Sequence, residues 1–199
     1  MSTYTESIER VIASLIKLPG IGRRSAERVV GYILNAPREE IKELAQAIYR
    51  TKEIVRLCSV CHNFSEQELC RICQDARRNK EIICIVEKPN DVMAIEKSGD
   101  YQGVYHVLLG SISPLEGRGP SDLKIDSLLA RVRENNIKEV IIATDADTEG
   151  ETTAMYLTKV LKPSGVKLTR IGLGIPMGSN LEYADSSTLA KAMESRREI

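Results

Sequence analysis

Aromatic residues are scarce in this 199-residue sequence, which contains no Trp and a single Phe. Val, Ile and Leu must therefore supply most of the buried surface of any folded core. Long apolar runs are also missing, and none approaches the roughly 18 residues that a membrane-spanning helix requires. Residues 1–6 lack the basic stretch that precedes the apolar stretch of a signal peptide. These absences predict a soluble, cytoplasmic protein of one or two domains with no membrane partner.

The sequence also lacks an excess of positive charge, because Lys and Arg total 28 and Asp and Glu also total 28. Proteins that bind nucleic acid over most of their surface have a strongly basic balance, so that class is excluded. Affinity for phosphates nevertheless depends on where the cations lie. We therefore expect any nucleic-acid contact to be confined to local basic clusters.

Only five cysteines are present, and four of them form two Cys-x-x-Cys pairs separated by residues 62–69. These four residues are Cys58, Cys61, Cys70 and Cys73. Two such pairs can place four thiolates around Zn²⁺ in a tetrahedral site. The intervening residues are too polar to form a core, so the metal would supply much of the folding free energy. The alternative is two disulfides or clustered free thiols, which the reducing interior of a cell disfavours. The pattern predicts a structural zinc knuckle over residues 57–77.

Apolar periodicity divides the rest of the chain into two zones. Residues 1–56 have apolar side chains at helical spacing, whereas short apolar runs alternate with helical stretches from about residue 80 onward. The predicted strands are residues 82–86, 104–109, 140–143 and 167–171, and the predicted helices are residues 90–98, 122–135 and 149–162. This alternation predicts an α/β fold with a mostly parallel sheet of βαβ units. Cys84 lies within the first strand and is expected in its core.

Two glycines and three arginines lie at the junction of the first two predicted helices. They are Gly20, Gly22, Arg23, Arg24 and Arg28. Glycine lets the backbone turn tightly and approach another group closely, and the free amides at a helix N-terminus attract phosphate. With arginines beside it, this is the helix-hairpin-helix pattern, which binds the DNA backbone without sequence preference. The alternatives are a plain helix–helix turn with solvated arginines, and a dimerisation surface.

Acidic residues follow two of the predicted parallel strands. Glu87 comes after the first strand, and Asp145 and Asp147 come after the third. Because both positions fall at the carboxyl edge of the sheet, these three carboxylates could hold Mg²⁺. Glu149 and Glu151 would extend the cluster, although helix N-termini attract acidic residues for electrostatic reasons alone. The arrangement resembles the Toprim domain of topoisomerases, primases and related nucleases.

Two further segments are weaker candidates for phosphate contact. The Gly-rich loop at residues 172–183 does not match the P-loop pattern. We interpret it as a structural turn that carries a helical tail toward a neighbouring subunit. A short basic cluster follows the cysteines and is typical of a solvated surface, although it could form a second phosphate contact. Its cations are Arg71, Arg77, Arg78 and Lys80.

The order of these motifs closely resembles the RecR family of bacterial recombination mediators over almost the whole chain. The resemblance rests on residues 18–26, the four cysteines, Glu87 with Asp91, and residues 109–117, 148–152 and 174–182. It implies four consecutive regions. They are a helix-hairpin-helix region at residues 1–56, a four-cysteine zinc finger at residues 57–77, a Toprim domain at residues 78–175, and a C-terminal tail for oligomerisation at residues 176–199.

The resemblance also implies a DNA-binding role without catalysis in recombinational DNA repair. Family members act with RecO and RecF at single-stranded gaps and at junctions of single-stranded with double-stranded DNA. There they help to load RecA onto single strands that are covered by single-strand-binding protein. The resemblance implies a ring-shaped homotetramer, a dimer of dimers that is paired through both terminal regions. On this chain, Arg24 and Arg28 are the candidates for DNA contact, and Glu87, Asp91 and the loop at residues 145–151 form the RecO-binding face.

One departure from the family concerns Asp145 and Ala146, where many members have Asn-Pro. The Asp-Ala-Asp sequence of this chain is closer to that of catalytic Toprim enzymes. It leaves open a Mg²⁺-dependent nuclease that uses Glu87, Asp145 and Asp147. The chain has no obvious room for the tyrosine domain of a topoisomerase. A third interpretation is a zinc-bearing structural adaptor whose hairpin only dimerises.

Overall fold

Helical spacing of apolar residues near the N-terminus produces three helices. The computed structural model describes residues 4–172 and 174–196, which divide after Ile54 into two compact units. In the first unit, helix α1 spans Glu6–Ile16, α2 spans Arg23–Asn35 and α3 spans Arg38–Ile54. Pro37 directly precedes α3 and accepts a hydrogen bond from the N–H of Ile41, as suits a residue that cannot donate within a helix.

The core of the first unit lies between α1 and α2. Ile12, Ala26 and Val30 are buried there, with further apolar side chains of both helices around them. Helix α3 buries none of its side chains among the described residues of the unit. Two of its apolar residues, Leu44 and Ile48, are exposed by 49% and 66%. The helix therefore presents an apolar surface that this unit does not cover.

A four-stranded parallel sheet is the centre of the second unit, as predicted. The strands are β3 (Asn79–Val86), β4 (Gly103–Val107), β5 (Glu139–Ile142) and β6 (Lys167–Arg170), and their order across the sheet is β4-β3-β5-β6. All three pairings are parallel. The α/β fold and its parallel sheet, predicted from the alternating apolar runs, are confirmed.

Helices cover both faces of this sheet. Helices α6 (Ile125–Glu134) and α7 (Thr148–Leu161) pack on one face, where side chains such as Ile83 and Val140 meet Leu128 and Leu157. Helix α5 (Pro89–Glu96) packs on the other face through Val92, in the same cluster as Cys84. Cys84 is therefore a core residue, as expected.

The predicted helix at residues 122–135 begins later than its sequence suggests. A short 3₁₀ turn, Pro120–Asp122, comes first, and α6 starts at Ile125. The carboxylate of Asp122 accepts a hydrogen bond from the N–H of Gly119 at 2.8 Å. Asp122 thus closes the turn that precedes the helix instead of entering the helix, a competing use of a short acidic side chain.

The cysteine segment forms a small knuckle against the outer strand of the sheet. It contains an antiparallel pair, β1 (Arg56–Leu57) with β2 (Phe64–Ser65), followed by the short helix α4 (Arg71–Gln74). The sequence did not predict these two strands. The N–H of Val107 in β4 donates to the carbonyl of Cys61 at 2.8 Å, and Ile72 packs against the α5 side of the core. The knuckle is therefore attached to the sheet by backbone and apolar contacts.

The C-terminal region ends in helix α8 (Ser186–Glu194). Asp185 caps this helix by accepting hydrogen bonds from the N–H groups of Ser187 and Thr188, the usual role of aspartate at a helix start. One residue of the Gly-rich loop, Leu173, lies outside the described residues. Within the part of the chain that the structure covers, no helix is long and apolar enough to cross a membrane.

Arg78 holds three elements of the second unit together. Its side chain is only 15% exposed and forms a two-pronged ion pair with Glu96 of α5. The same guanidinium donates to the carbonyl of Tyr101 at 3.0 Å, and Glu96 also accepts a hydrogen bond from the hydroxyl of Tyr105 at 2.7 Å. The neighbouring Arg77 is 90% exposed and, among the described residues, pairs only with Asp75.

We expect Arg78→Ala to lower the free energy of unfolding by about 2–3 kcal/mol, because it leaves the Glu96 carboxylate without its partner in a partly buried site. Arg77→Ala, the adjacent control, should cost less than about 1 kcal/mol because its ion pair is exposed. Urea unfolding of both variants measures the difference. Equal losses would show that the Arg78 network does not stabilise the fold.

Candidate functional site

The turn between α1 and α2 is built for a sharp change of direction. Gly20 has a φ of +80°, a backbone conformation that residues with a side chain rarely adopt. The N–H of Ile21 then donates to the carbonyl of Leu18 at 3.2 Å. Gly22 follows in extended conformation and is the N-terminal cap of α2. The two glycines thus differ, since only Gly20 is required by the backbone.

Gly22 leaves the N-terminus of α2 open. It has no side chain to cap the helix, and the first turn of α2 contains no acidic residue. A Cβ placed on Gly22 would meet nothing within 4 Å, so the packing of this unit does not require glycine there. The N–H groups of the first turn lack intrahelical partners. The open space and these amides together suit an approaching phosphate.

The three arginines near this turn have different surroundings. Arg23 donates to Glu9 of α1 at 3.0 Å and to Glu27 at 3.1 Å, so it links the two helices. The ion pair with Glu9 raises the pKa of Arg23 further. Arg24 and Arg28 are exposed and form no ion pair with the described residues. These two cations are therefore available to a ligand, whereas Arg23 also has a structural role.

The four predicted cysteines are brought together. One ligand atom from each of Cys58, Cys61, Cys70 and Cys73 lies within 4.8 Å of the others, and three of the residues are buried. Sulfurs in a tetrahedral zinc site lie about 3.8 Å apart, given Zn–S bonds of about 2.3 Å. The N–H of Cys70 donates to the sulfur of Cys58 at 3.3 Å, a contact that orients a thiolate. The cluster fits Zn²⁺.

The electrostatics of these thiols also suit a cation. A hydrogen bond between the sulfurs of Cys61 and Cys70, at 3.4 Å, raises the pKa of Cys61 and lowers that of Cys70. The cluster therefore favours sharing of a thiol proton, which a bound metal ion would replace. Cys84 differs, since burial alone raises its pKa to about 12. It remains a neutral thiol outside the cluster.

The acidic residues meet at the carboxyl edge of the sheet. Glu87, which follows β3, is only 2% exposed, and its Oε1 accepts a hydrogen bond from the N–H of Asp145 at 3.0 Å. Burial raises the pKa of Glu87, and the charges of Asp145 and Asp147 raise it further. Asp145 itself is exposed and lies 3.9 Å from the ammonium of Lys88. The structure thus places the Glu87 carboxylate against the backbone of Asp145.

Several of these acids have structural partners. Asp147 caps α7 by accepting from the N–H of Gly150 at 2.8 Å, and Asp91 accepts from the N–H of Lys88 at 2.7 Å at the start of α5. Glu151 accepts from Arg170 at 2.6 Å. Among the described residues, the cysteines are the only group of three or more whose ligand atoms come close enough to hold a metal ion.

Two serines that the sequence analysis did not select fix Glu149. Ser111 donates to one carboxylate oxygen at 3.0 Å and Ser113 donates to the other at 2.5 Å. Their hydrogen bonds lower the pKa of Glu149. The Ser-Ile-Ser sequence after β4 could have indicated that the two serines act together, because alternate residues of an extended segment face the same side.

Gly150 is required where α7 starts. A Cβ at this position would lie 2.1 Å from the carbonyl oxygen of Asp145. The hydroxyl of Thr144 donates to the carbonyl of Gly150 at 2.8 Å. The close approach of the helix to the preceding loop thus sets the position of Asp145 and Asp147.

The basic cluster after the cysteines is only partly available. Arg77 and Arg78 are engaged by Asp75 and Glu96, respectively. Arg71 and Lys80 are exposed, and neither forms an ion pair with a described residue. A second phosphate contact at the knuckle would therefore depend on these two cations.

Family models match consecutive parts of the chain. Residues 8–51 match the family described as RecR, helix-hairpin-helix, and residues 55–75 match the four-cysteine zinc finger domain of RecR. Residues 81–172 match the Toprim domain, and residues 174–197 match RecR, C-terminal. The chain belongs to the RecR family. The resemblance predicted from the motifs is therefore confirmed.

Membership of the RecR family gives the chain a DNA-binding role in recombinational repair. The cluster of four cysteines matches the zinc-finger part of this family, which supports zinc binding. RecR-family domains also favour a mediator that is not a catalyst, although Toprim domains are associated with enzymes.

Proposed function

We propose that this RecR-family protein acts with RecO and RecF at single-stranded gaps and at junctions with double-stranded DNA. There it helps to load RecA onto single strands covered by single-strand-binding protein, in the bacterial cytoplasm at the nucleoid. The observation that carries the DNA-binding part is the open N-terminus of α2, with Arg24 and Arg28 free of ion pairs to described residues beside it. Amides and unpaired guanidinium groups bind phosphates without reading base sequence.

The assembly that we propose is a homotetramer, a dimer of dimers. The exposed apolar residues of α3 support one contact between protomers, because a surface helix with an uncovered apolar face favours association. The C-terminal region supports a second contact through Met177, which is fully exposed, and Tyr183, which is 80% exposed. A ring of this kind would enclose or hold DNA through several weak phosphate contacts.

The partner-binding face that we propose is the carboxyl edge of the sheet. Asp145 and Asp147 are exposed there, and Glu149 is fixed by its two serines. Glu87 is buried, so its role in this face would be to position the Asp145 loop by accepting its N–H. Asp91 and Glu151 would act similarly through their hydrogen bonds to Lys88 and Arg170.

A Mg²⁺-dependent nuclease is the second candidate function. It is favoured by the raised pKa of Glu87, since burial and two neighbouring carboxylates create a site in which a cation would be stabilised. Glu87, Asp145 and Asp147 would have to move together to hold the metal, because their ligand atoms do not form a close group among the described residues. Two of their groups are already used within the fold, because Glu87 accepts from Asp145 and Asp147 caps α7. The mediator function therefore explains more of the geometry.

One experiment separates these two functions. Purified protein is mixed with gapped circular DNA, with and without Mg²⁺ or Mn²⁺, and retention and cutting are read on the same gel. We expect the DNA to be retained and to stay intact. Nicking that requires the metal and disappears in Asp147→Ala would instead establish the nuclease. Asp122→Ala, which removes an acid from a turn elsewhere in the unit, is the control for a general effect on folding.

A further inference from the structure

The outer edge of β4 is closed by other parts of the chain. Alternate residues of this strand turn their backbone groups away from the sheet. Arg131 of α6 donates to the carbonyl of Tyr105 at 2.6 Å, and the N–H of Val107 donates to the carbonyl of Cys61 at 2.8 Å. Outward groups of Tyr105 and Val107 are therefore already bonded within the chain, which leaves this edge less able to pair with another strand.

The opposite edge, formed by β6, is open. The N–H groups of Lys167 and Ile171 donate toward β5, so the N–H and carbonyl groups of Leu168 and Arg170 face outward. No described residue forms a hydrogen bond with these outward groups. Lys167 does not shield the edge, because its ammonium is drawn back to Glu139 at 3.1 Å. Such an edge is a template for a further strand.

Helix α7 extends over this open edge and forms a groove with β6. The cavity has a volume of about 540 Å³. Its floor is apolar and consists of Ile142, Ala154 and Leu168. Met155 and Lys159 of α7, and Lys162 directly after its last residue, line the side of the groove and follow one another at helical spacing. Met155 is 74% exposed, so this apolar side chain has no cover within the unit.

All charged residues that line the groove are cations. Lys159 and Lys162 form no ion pair with any residue in the described parts of the chain. The guanidinium of Arg170 donates to Glu151 through Nη1 at 2.6 Å, while its Nε and Nη2 are buried with no hydrogen-bond partner among the described residues. The groove therefore offers the positive charge of Lys159 and Lys162, which no described residue neutralises, beside a buried guanidinium that lacks acceptors.

We propose that the β6 edge and this groove bind an extended acidic segment of a partner protein, which adds to the sheet as a fifth strand. The backbone of the segment pairs with Leu168 and Arg170, as in other cases of strand addition. Its apolar side chains pack on Met155 and Leu168, and its carboxylates meet Lys159 and Lys162. DNA fits less well, because phosphates accept hydrogen bonds but donate none to the outward carbonyls, and they cannot cover an apolar floor.

The test uses the full-length protein and a short fluorescent peptide in which Val alternates with Glu. Hydrogen exchange should show that the peptide protects the amides of Leu168 and Arg170. Lys159→Glu with Lys162→Glu should weaken its binding about tenfold or more, as charge reversal beside a bound segment predicts. The matched control, Lys97→Glu with Arg133→Glu, makes the same charge change at exposed positions away from the groove and should leave binding unchanged.

Two further probes address the backbone and the class of ligand. A peptide that is N-methylated at alternate residues retains its side chains but cannot pair with the strand edge, so it should lose binding. Equal binding of a peptide in which Val alternates with Lys would overturn the proposal. So would binding of single-stranded DNA, but not of the peptide, that depends on Lys159 and Lys162. A changed sedimentation coefficient of the lysine variant would contradict it too, by assigning the groove to a second copy of the chain.

Discussion

Cys70→Ser is expected to release zinc and unfold the knuckle while the four-stranded sheet stays folded. Structural zinc in small domains has apparent binding free energies of about 10–16 kcal/mol. The few apolar side chains around the cysteines cannot replace that contribution. The sheet should survive because its core between β-strands, α6 and α7 contains none of the four ligands. Hydrogen exchange followed residue by residue measures both parts in one experiment.

Two amides at the end of β4 provide an internal control for this prediction. The N–H of Val107 donates to Cys61 in the knuckle, whereas the N–H of Leu108 donates to Val86 within the sheet. Loss of zinc should therefore speed exchange at Val107 and leave Leu108 protected. Cys84→Ala is the control variant, since Cys84 lies in the sheet core and should leave the zinc content unchanged. An unaltered knuckle after zinc removal would show that the metal does not stabilise it.

The second large effect is expected at the hairpin. Reversing the charges of Arg24 and Arg28 together to glutamate should weaken DNA binding on the order of a hundredfold, equivalent to about 2.7 kcal/mol. It should also reduce the slope of log affinity against log salt by about two, because two phosphate contacts are lost. Both side chains are exposed and unpaired within the described residues, so folding should not suffer. Fluorescence anisotropy with single-stranded DNA over a range of salt concentrations measures both quantities.

The matched control for this prediction is Arg38→Glu with Arg50→Glu on α3. It makes the same change of charge in the same unit but away from the N-terminus of α2. We expect it to keep most of the affinity and the original salt dependence. If both pairs of substitutions weaken binding equally, general electrostatic attraction would explain the affinity and the hairpin would lose its special role. A hairpin that only dimerises would instead show altered assembly with unchanged affinity.

The sequence predicted those features that depend on local pattern. The alternation of short apolar runs with helical stretches located the strands, and the spacing of the cysteines located the metal cluster. Both patterns are visible in residues that are close together in the sequence. Glu87 and the backbone of Asp145 are neighbours because parallel strands end at the same edge, whereas a joint cluster of the three acids stays a prediction. The roles of Asp145, Asp147 and the hairpin arginines stay predictions.

Partners that are distant in sequence could not be predicted. Arg78 belongs to a basic cluster by sequence, yet it pairs with Glu96 on another element. Arg23 likewise pairs with Glu9 across the hairpin. In both cases the cation is placed by tertiary packing, and composition carries no information about which cations remain free. The attachment of the knuckle to β4 is of the same kind, because a backbone contact leaves no trace in residue type.

That attachment has a consequence for solubility. The knuckle supplies the acceptor for the outward N–H of Val107 and lies along the outer strand of the sheet. When zinc is lost, part of this strand becomes an unpaired edge next to an apolar core, which is the usual starting point for aggregation between sheets. By keeping the knuckle folded, the metal would also keep this edge of the sheet paired. Zinc starvation would then remove the protein from solution before it unfolds globally.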